Sequence, residues 1–266
     1  MYTFRIFILV LIIFLNLPIK AQFSPGSVGY QPSMAEPFLK NKVATQTQYK
    51  IEEDGSKTLE SVSDYWDNGW LLRITFAPEE LGYDEEFIDT MKNEFTYFPN
   101  GNLRIKTLYG YDLYPIEQHY QYKKKKLILS NVLAAESREY TYKYGKDKKI
   151  VAKIGQSGRF ETDEEVNFSD KMIMVDVDAS YYTWDEAGRL IAEKFMMYES
   201  FYNRVRYAYN DKNQLIEMSV YYDEAPDAAP IFITTFKYSD NGLLKSSNHS
   251  EDGFSQEYIY EYTYYE

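Results

Sequence analysis

The chain has 266 residues, a mass of 31.4 kDa, a formal net charge of −12 and no cysteine. Without cysteine there are no disulfides, thiolate metal sites or cysteine nucleophiles. The negative charge argues against a nucleic-acid partner, because phosphate binding needs a basic face. Twenty-eight tyrosines and 16 phenylalanines favour strands over helices.

Residues 1–21 read as a secretory signal peptide. Arg5 supplies the positive charge, Ile6 to Leu15 is apolar throughout, and Ala21 offers a small residue before Gln22. The apolar run is too short for an ordinary membrane-spanning helix, which takes about 20 residues. Its removal, with Arg5 and Lys20, would take the net charge from −12 to −14. No cysteine follows to carry a lipid, so the exported chain is not expected to be lipid-anchored. Residues 22–43 carry Pro25, Gly26, Gly29, Pro32 and Pro37 with little periodicity, the composition of a flexible leader.

From residue 44 to 266 the strand signal is nearly continuous. Thr45–Glu52 and Lys57–Asp64 flank the Asp54-Gly55 turn, and Trp70–Phe76 follows. Glu79–Asn93 is the one stretch with helical spacing, with Phe87, Ile88 and Met91 on one face. Further strand pairs lie in Thr96–Tyr114, Gln118–Val132 and Glu139–Ile154. Gly155–Asp170 reads as a polar, acidic loop, and Lys171–Val177 resumes as a strand. Tyr258, Tyr260, Tyr262 and Tyr264 end the chain in alternation, on one face of a strand.

A short window recurs through this region. An aromatic residue opens it, a polar turn follows, and an aliphatic residue closes it six positions on. The copies are Tyr65–Leu71, Tyr97–Leu103, Tyr144–Ile150, Trp184–Leu190, Tyr209–Leu215 and Tyr238–Leu244, with Tyr122–Leu127 one residue shorter. Gly69, Gly101, Gly188 and Gly242 stand four residues after the aromatic, and Asn213 takes that place once. Such a position suits a hairpin loop needing one residue at positive φ, and Lys148 departs from the rule. Closing aliphatics follow one another at 23 to 40 residues, about one hairpin unit. The pattern predicts an all-β domain of antiparallel hairpin repeats, as an open sheet, a solenoid or a barrel. An open array would also leave edge strands able to pair two chains into a dimer.

At Trp184-Asp185-Glu186-Ala187-Gly188-Arg189-Leu190 the chain resembles the YD repeat of the RHS family of secreted bacterial proteins. Trp184, Asp185, Gly188, Arg189 and Leu190 carry that likeness, and Tyr238, Asn241, Gly242 and Leu244 match more loosely. Tyr97–Leu103 is also similar to the hairpins of MORN-like repeats. RHS proteins wind many repeats into a shell around a toxin, whereas this chain has few. The resemblance therefore implies a short secreted repeat protein with no enzymatic residues.

The search for chemistry agrees. There is no G-x-S-x-G element, H-E-x-x-H helix or phosphate-binding glycine loop, and His119 and His249 stand in no recognisable motif. The densest acids are Asp84-Glu85-Glu86, Asp163-Glu164-Glu165 and the pair Asp176 and Asp178. They keep open an alternative, a secreted glycoside hydrolase using two carboxylates. Calcium would suit such oxygen ligands, but no run has the D-x-D-x-D-G order, so no cofactor is expected. Lys123–Lys126 reads as a solvated hairpin tip. Tyr258, Tyr260, Tyr262 and Tyr264 are the candidate binding surface, an aromatic platform for a sugar or a partner's sheet edge; their bland role is core packing. The reading is a secreted, non-catalytic binding or structural module at the cell envelope, facing a protein or a glycan. An accessory partner of a larger secreted repeat protein is a further alternative.

Overall fold

The computed structural model describes residues 36–266 apart from 78–90, 111–114, 125, 134–136, 147, 161–171, 198–199, 223–224, 226–227 and 252. A short helix, α1 (Glu36–Lys40), ends the segment read as leader and buries Phe38. Sixteen strands follow: β1 (Val43–Ile51), β2 (Lys57–Tyr65), β3 (Leu71–Phe76), β4 (Lys92–Tyr97), β5 (Leu103–Tyr109), β6 (Ile116–Lys123), β7 (Lys126–Leu133), β8 (Ser137–Tyr144), β9 (Ile150–Phe160), β10 (Met172–Trp184), β11 (Leu190–Met197), β12 (Ser200–Tyr209), β13 (Leu215–Tyr221), β14 (Phe232–Tyr238), β15 (Leu244–Glu251) and β16 (Phe254–Tyr264). Each pairs antiparallel with its neighbours in sequence, and β16 returns to β1, closing a barrel. Closure leaves no open edge in this sheet, so the open array whose edges could pair two chains is not the arrangement formed.

Every recurring window is a hairpin turn whose aromatic and aliphatic residues pair across it, as in Tyr65↔Leu71, Trp184↔Leu190 and Tyr238↔Leu244, with a bulge just outside that pair. In a meander all seven turns fall at the same end of the barrel. Lys148 takes φ 68° and Asn213 φ 60°, so the fold imposes the left-handed turn even where glycine is missing. Gly155–Phe160, expected as loop, instead continues β9. Gly155 pairs with Tyr140 and Asp178, and an added Cβ would lie 2.1 Å from Asp178 Oδ1 and 2.6 Å from the Tyr140 ring. The glycine there makes room inside a strand. Residues 79–90 of the expected helix lie outside the described residues, but Lys92 and Asn93 at its end belong to β4.

The repeat has a mechanical meaning. The opening aromatic of one window donates to the backbone oxygen of the closing aliphatic of the window before it. Tyr97 Oη reaches Leu71 O at 2.6 Å, Tyr144 Leu127 O at 2.7 Å, Tyr209 Leu190 O at 2.8 Å and Tyr238 Leu215 O at 2.8 Å. Trp184 does the same with its indole nitrogen, 2.8 Å from Ile150 O. Tyr262 on the closing strand adds a further rung, 2.7 Å from Leu244 O. Tyr122, in the shorter window, breaks the series: its hydroxyl is buried with no partner among the described residues.

A second rule concerns the residue just before the closing aliphatic. Its side chain covers the next window's ring: Trp70 on Tyr97, Lys126 on Tyr144, Lys149 on Trp184 and Arg189 on Tyr209, with separations of 5.0, 4.5, 5.3 and 5.0 Å. In the window most like a YD repeat, Asp185 accepts from the Arg189 backbone at 2.7 Å and from its guanidinium at 2.6 Å. Gly188 takes φ 87° between them. Asp, Gly, Arg and Leu each hold one place in the joint between hairpins.

Candidate functional site

Side chains paired across an antiparallel ladder point to the same side of the sheet. Two residues before each opening aromatic, and three after each closing aliphatic, the chain reaches one inward-facing level beneath the turns. Seven cross-strand pairs make it up: Ser63↔Ile74, Phe95↔Lys106, Tyr120↔Ser130, Tyr142↔Lys153, Tyr182↔Glu193, Tyr207↔Met218 and Phe236↔Ser247. One member is aromatic in all but the first. Its companion is apolar in Ile74 and Met218 but ionisable in Lys106, Lys153 and Glu193.

The ionisable side chains form the candidate site. They point inward yet are only partly buried, so they border internal space. Eight strands already make a barrel that wall side chains can fill, and sixteen enclose considerably more. Glu193 lies 3.4 Å from the Tyr207 hydroxyl; burial raises its carboxyl, opposed by Ser180, Lys153, Tyr207 and Tyr182. Lys153 sits over the Tyr140 ring at 3.8 Å. Burial pulls its ammonium down, but Tyr140, Tyr142, Asp178 and Glu193 outweigh this and raise it. Lys106 has no such help. Burial, and then the like charge of Lys153, lower it to about 8. Three strands separate the two lysines around the wall.

Asp178 is held by Arg138 at 2.9 Å, each four residues further from the windows than its strand's tyrosine of that level, Tyr182 and Tyr142. The described residues contain no cluster of acids or histidines suited to a metal ion. The acidic runs at 84–86 and 163–165 lie outside the described residues. His119 faces outward, 2.7 Å from Glu117, whereas His249 faces inward, stacked on Phe232 at 5.4 Å, and burial lowers its imidazole. In the lysine run Lys124 takes φ 50° at the hairpin tip and Lys126 covers Tyr144.

The C-terminal tyrosines divide. Tyr258 and Tyr260 are 9% exposed and pack in the core with Leu215, Met218 and Phe236, and Tyr262 packs partly buried beside them. Tyr264, 52% exposed, remains at the surface. The four rings do not form a single open platform, because inward-facing positions of a closed wall become its lining.

The outward positions carry a different chemistry. Asp64, Arg73, Glu94, Thr96, Lys143, Arg206, Glu217, Lys237 and Glu261 stand on the outer wall, several in ion pairs such as Arg73–Asp64 at 2.7 Å and Lys57–Glu261 at 2.8 Å. Barrels that cross a bilayer show lipid an apolar band about 25 Å tall.

No family model and no curated protein matches the chain. Among solved structures, it is similar to a chain of the TcdB2-TccC3-Cdc42 complex, with 12% identity and a TM-score of 0.25 over 80% of this chain and 14% of that one. It is also similar to a porin-like protein from Bacteroides vulgatus ATCC 8482 (14% identity, TM-score 0.39, 84% and 98% of the two chains). A porin-like protein from Bacteroides uniformis ATCC 8492 gives 11% identity and a TM-score of 0.34 over 84% and 97%. At these TM-scores the likenesses carry no argument about this chain.

Proposed function

We propose that this is an exported, non-catalytic binding module of the cell envelope that works surrounded by water, with the barrel interior as its binding face. The observation that supports this is the division of the wall. Many charged side chains, among them Asp64, Arg73, Glu94, Lys143, Arg206, Glu217 and Lys237, face out, while most of the buried tyrosines and phenylalanines face in together with Lys106, Lys153, Glu193, His249 and the Arg138–Asp178 pair. A lysine or arginine facing lipid at mid-bilayer costs about 2–4 kcal/mol each, so the outer wall suits water and disfavours insertion. The hairpin windows are consistent with a short YD-repeat-like protein, in which the repeat is a building unit and carries no chemistry.

The reading is tested by expressing the full chain in a Gram-negative host and separating periplasm, medium and membranes. The expected result is processed protein in the periplasm or medium, monodisperse without detergent. Recovery only from membranes, resistant to alkaline carbonate and dependent on detergent, would sink it.

A further inference from the structure

The end of the barrel that carries the seven turns is uneven in charge. The β6–β7 and β8–β9 turns hold seven lysines, the run Lys123–Lys126 and Lys146, Lys148 and Lys149, against one acid, Asp147. Strands β7 and β8 pair, so these turns are neighbours on the rim. Lys126 ties them together, lying over the Tyr144 ring at 4.5 Å. Lys123, Lys124, Lys146 and Lys148 are exposed, with no carboxylate at ion-pair distance among the described residues. Lys124 and Lys148 also take φ 50° and 68°, where glycine or asparagine is less strained, so lysine there does not serve the turn. Apolar surface shares this end. Leu39 in α1, Trp66 in the β2–β3 turn, Tyr264 and Tyr265 are between 40% and 52% exposed. The Tyr265 hydroxyl donates to Tyr65 O, beside Trp66, and its backbone donates to the carbonyl of exposed Lys42. Between the lysines and this apolar group lies the β4–β5 turn, where exposed Arg104 covers Phe98 at 5.9 Å. The other three turns hold Asp185, Glu186, Asp211 and Asp240 against Arg189 and Lys212.

We propose that this end docks peripherally on an anionic phospholipid surface, with the lysines of the two turns at headgroup phosphates and Trp66 in the interfacial zone. The docking rests on the water-facing outer wall and is independent of what the interior binds. Charge is one reason for it. Each lysine brought to an anionic bilayer strengthens attachment about fivefold. At physiological salt, charges more than about 8 Å away are largely screened, so the acidic remainder of the chain does not cancel the lysines that touch. Reach is the other reason. An acidic polymer lying along the two lysine turns leaves Trp66, Leu39 and the tyrosines unused. A flat bilayer face extends across adjoining turns, and its interfacial zone takes tryptophan and tyrosine rings beside cations.

The experiment mixes protein purified from the soluble fraction of expressing cells with two kinds of vesicle and sediments them. One kind mixes phosphatidylglycerol with phosphatidylcholine, and the other is phosphatidylcholine alone. The protein is expected to sediment with the anionic vesicles and to be released at about 1 M salt, where the Debye length is about 3 Å. Lys124→Asn and Lys148→Asn, mild at positive φ, should each weaken binding about fivefold and together about 25-fold. Lys57→Gln, at the opposite end of the barrel, should change it less than about twofold. Brominated lipid should quench tryptophan fluorescence, and Trp66→Phe should remove most of that quenching. No binding to anionic vesicles, or binding that ignores Lys124 and Lys148, overturns the docking end and leaves the water-facing wall standing. Binding to polygalacturonate but not to vesicles assigns the lysines to an acidic polymer and overturns the membrane. Attachment to vesicles that survives alkaline carbonate overturns both the docking and the water-facing wall.

Discussion

Two arcs of the inner wall share one level and nearly the same aromatic partners, yet differ in what stands beside them. In β2–β3 and β12–β13 the companion residue is Ile74 or Met218, with Ile74 fully buried and Met218 4% exposed. In β4–β11 the aromatics Phe95, Tyr142 and Tyr182 face Lys106, Lys153 and Glu193. Backbone pairing, turn and ladder are repeated in both. The comparison teaches that the hairpin is indifferent to this companion position, so charge there reflects something other than the needs of the fold.

The sharpest way to break the comparison is to exchange the arcs' companions. Ile74→Lys places an unpaired charge in the apolar arc, and is expected to destabilise the protein by about 3–5 kcal/mol in urea unfolding. Lys106→Met should move the urea midpoint the other way, since it removes an inward-facing, partly desolvated charge. A neutral outcome for Ile74→Lys would mean that the two arcs are equally wet.

Next comes Gly155, which lets the polar arc hold both Tyr140 and the Arg138–Asp178 pair. Gly155→Leu should cost about 3 kcal/mol, because the Asp178 carboxylate and the Tyr140 ring leave no room. Gly55→Ala, with nothing within 4 Å of its added carbon, should cost only about 1–2 kcal/mol from its φ of 81°. Similar urea midpoints for the two would remove the packing argument.

The pH dependence is a subtler test. Lys106 falls from 10.5 to about 8 in the folded chain, so between those values the unfolded state holds more protons. Stability should therefore rise as pH increases through 8, with the burial cost fully present below that value. Above about 10 the buried tyrosines oppose this, because burial keeps Tyr182 and Tyr207 protonated in the folded state while unfolded tyrosines ionise. Urea midpoints measured from pH 7 to 10 should climb in the wild type and lose that climb in Lys106→Met.

The smallest effect concerns the ladder that both arcs share. Tyr209→Phe removes one rung, and should cost about 0.5–1.5 kcal/mol, because Leu190 O loses its donor. Tyr122→Phe should be neutral or slightly stabilising, as its hydroxyl has no partner to lose. Equal costs would show that the phenol bonds do not register the hairpins.

Much of the wall was legible from the chain because its determinants are local. Alternation gave the strands, and the aromatic-to-aliphatic spacing located all seven turns, Lys148 included. Gly155–Phe160 misled because glycine, serine and glutamine favour loops unless a neighbouring strand needs the space. The C-terminal tyrosines read as a platform because alternation assigns residues to one face without saying which face closes inward. Lys106, Lys153 and Glu193 carried a signal that was not used: each stands three residues after a closing aliphatic, in register with Ile74 and Met218.

The sequence by itself determined hairpin, turn and repeat, since these depend on side chains a few residues apart and on φ values that glycine and asparagine tolerate. Tertiary structure alone decided that sixteen strands close on themselves, which requires Val43–Lys50 to meet Tyr258–Tyr264 more than 200 residues later. That closure turns one face of every strand into an interior and the other into a charged exterior. Only then do side chains distant in sequence share one interior, and the burial that lowers Lys106 follows from that closed wall and not from its own strand.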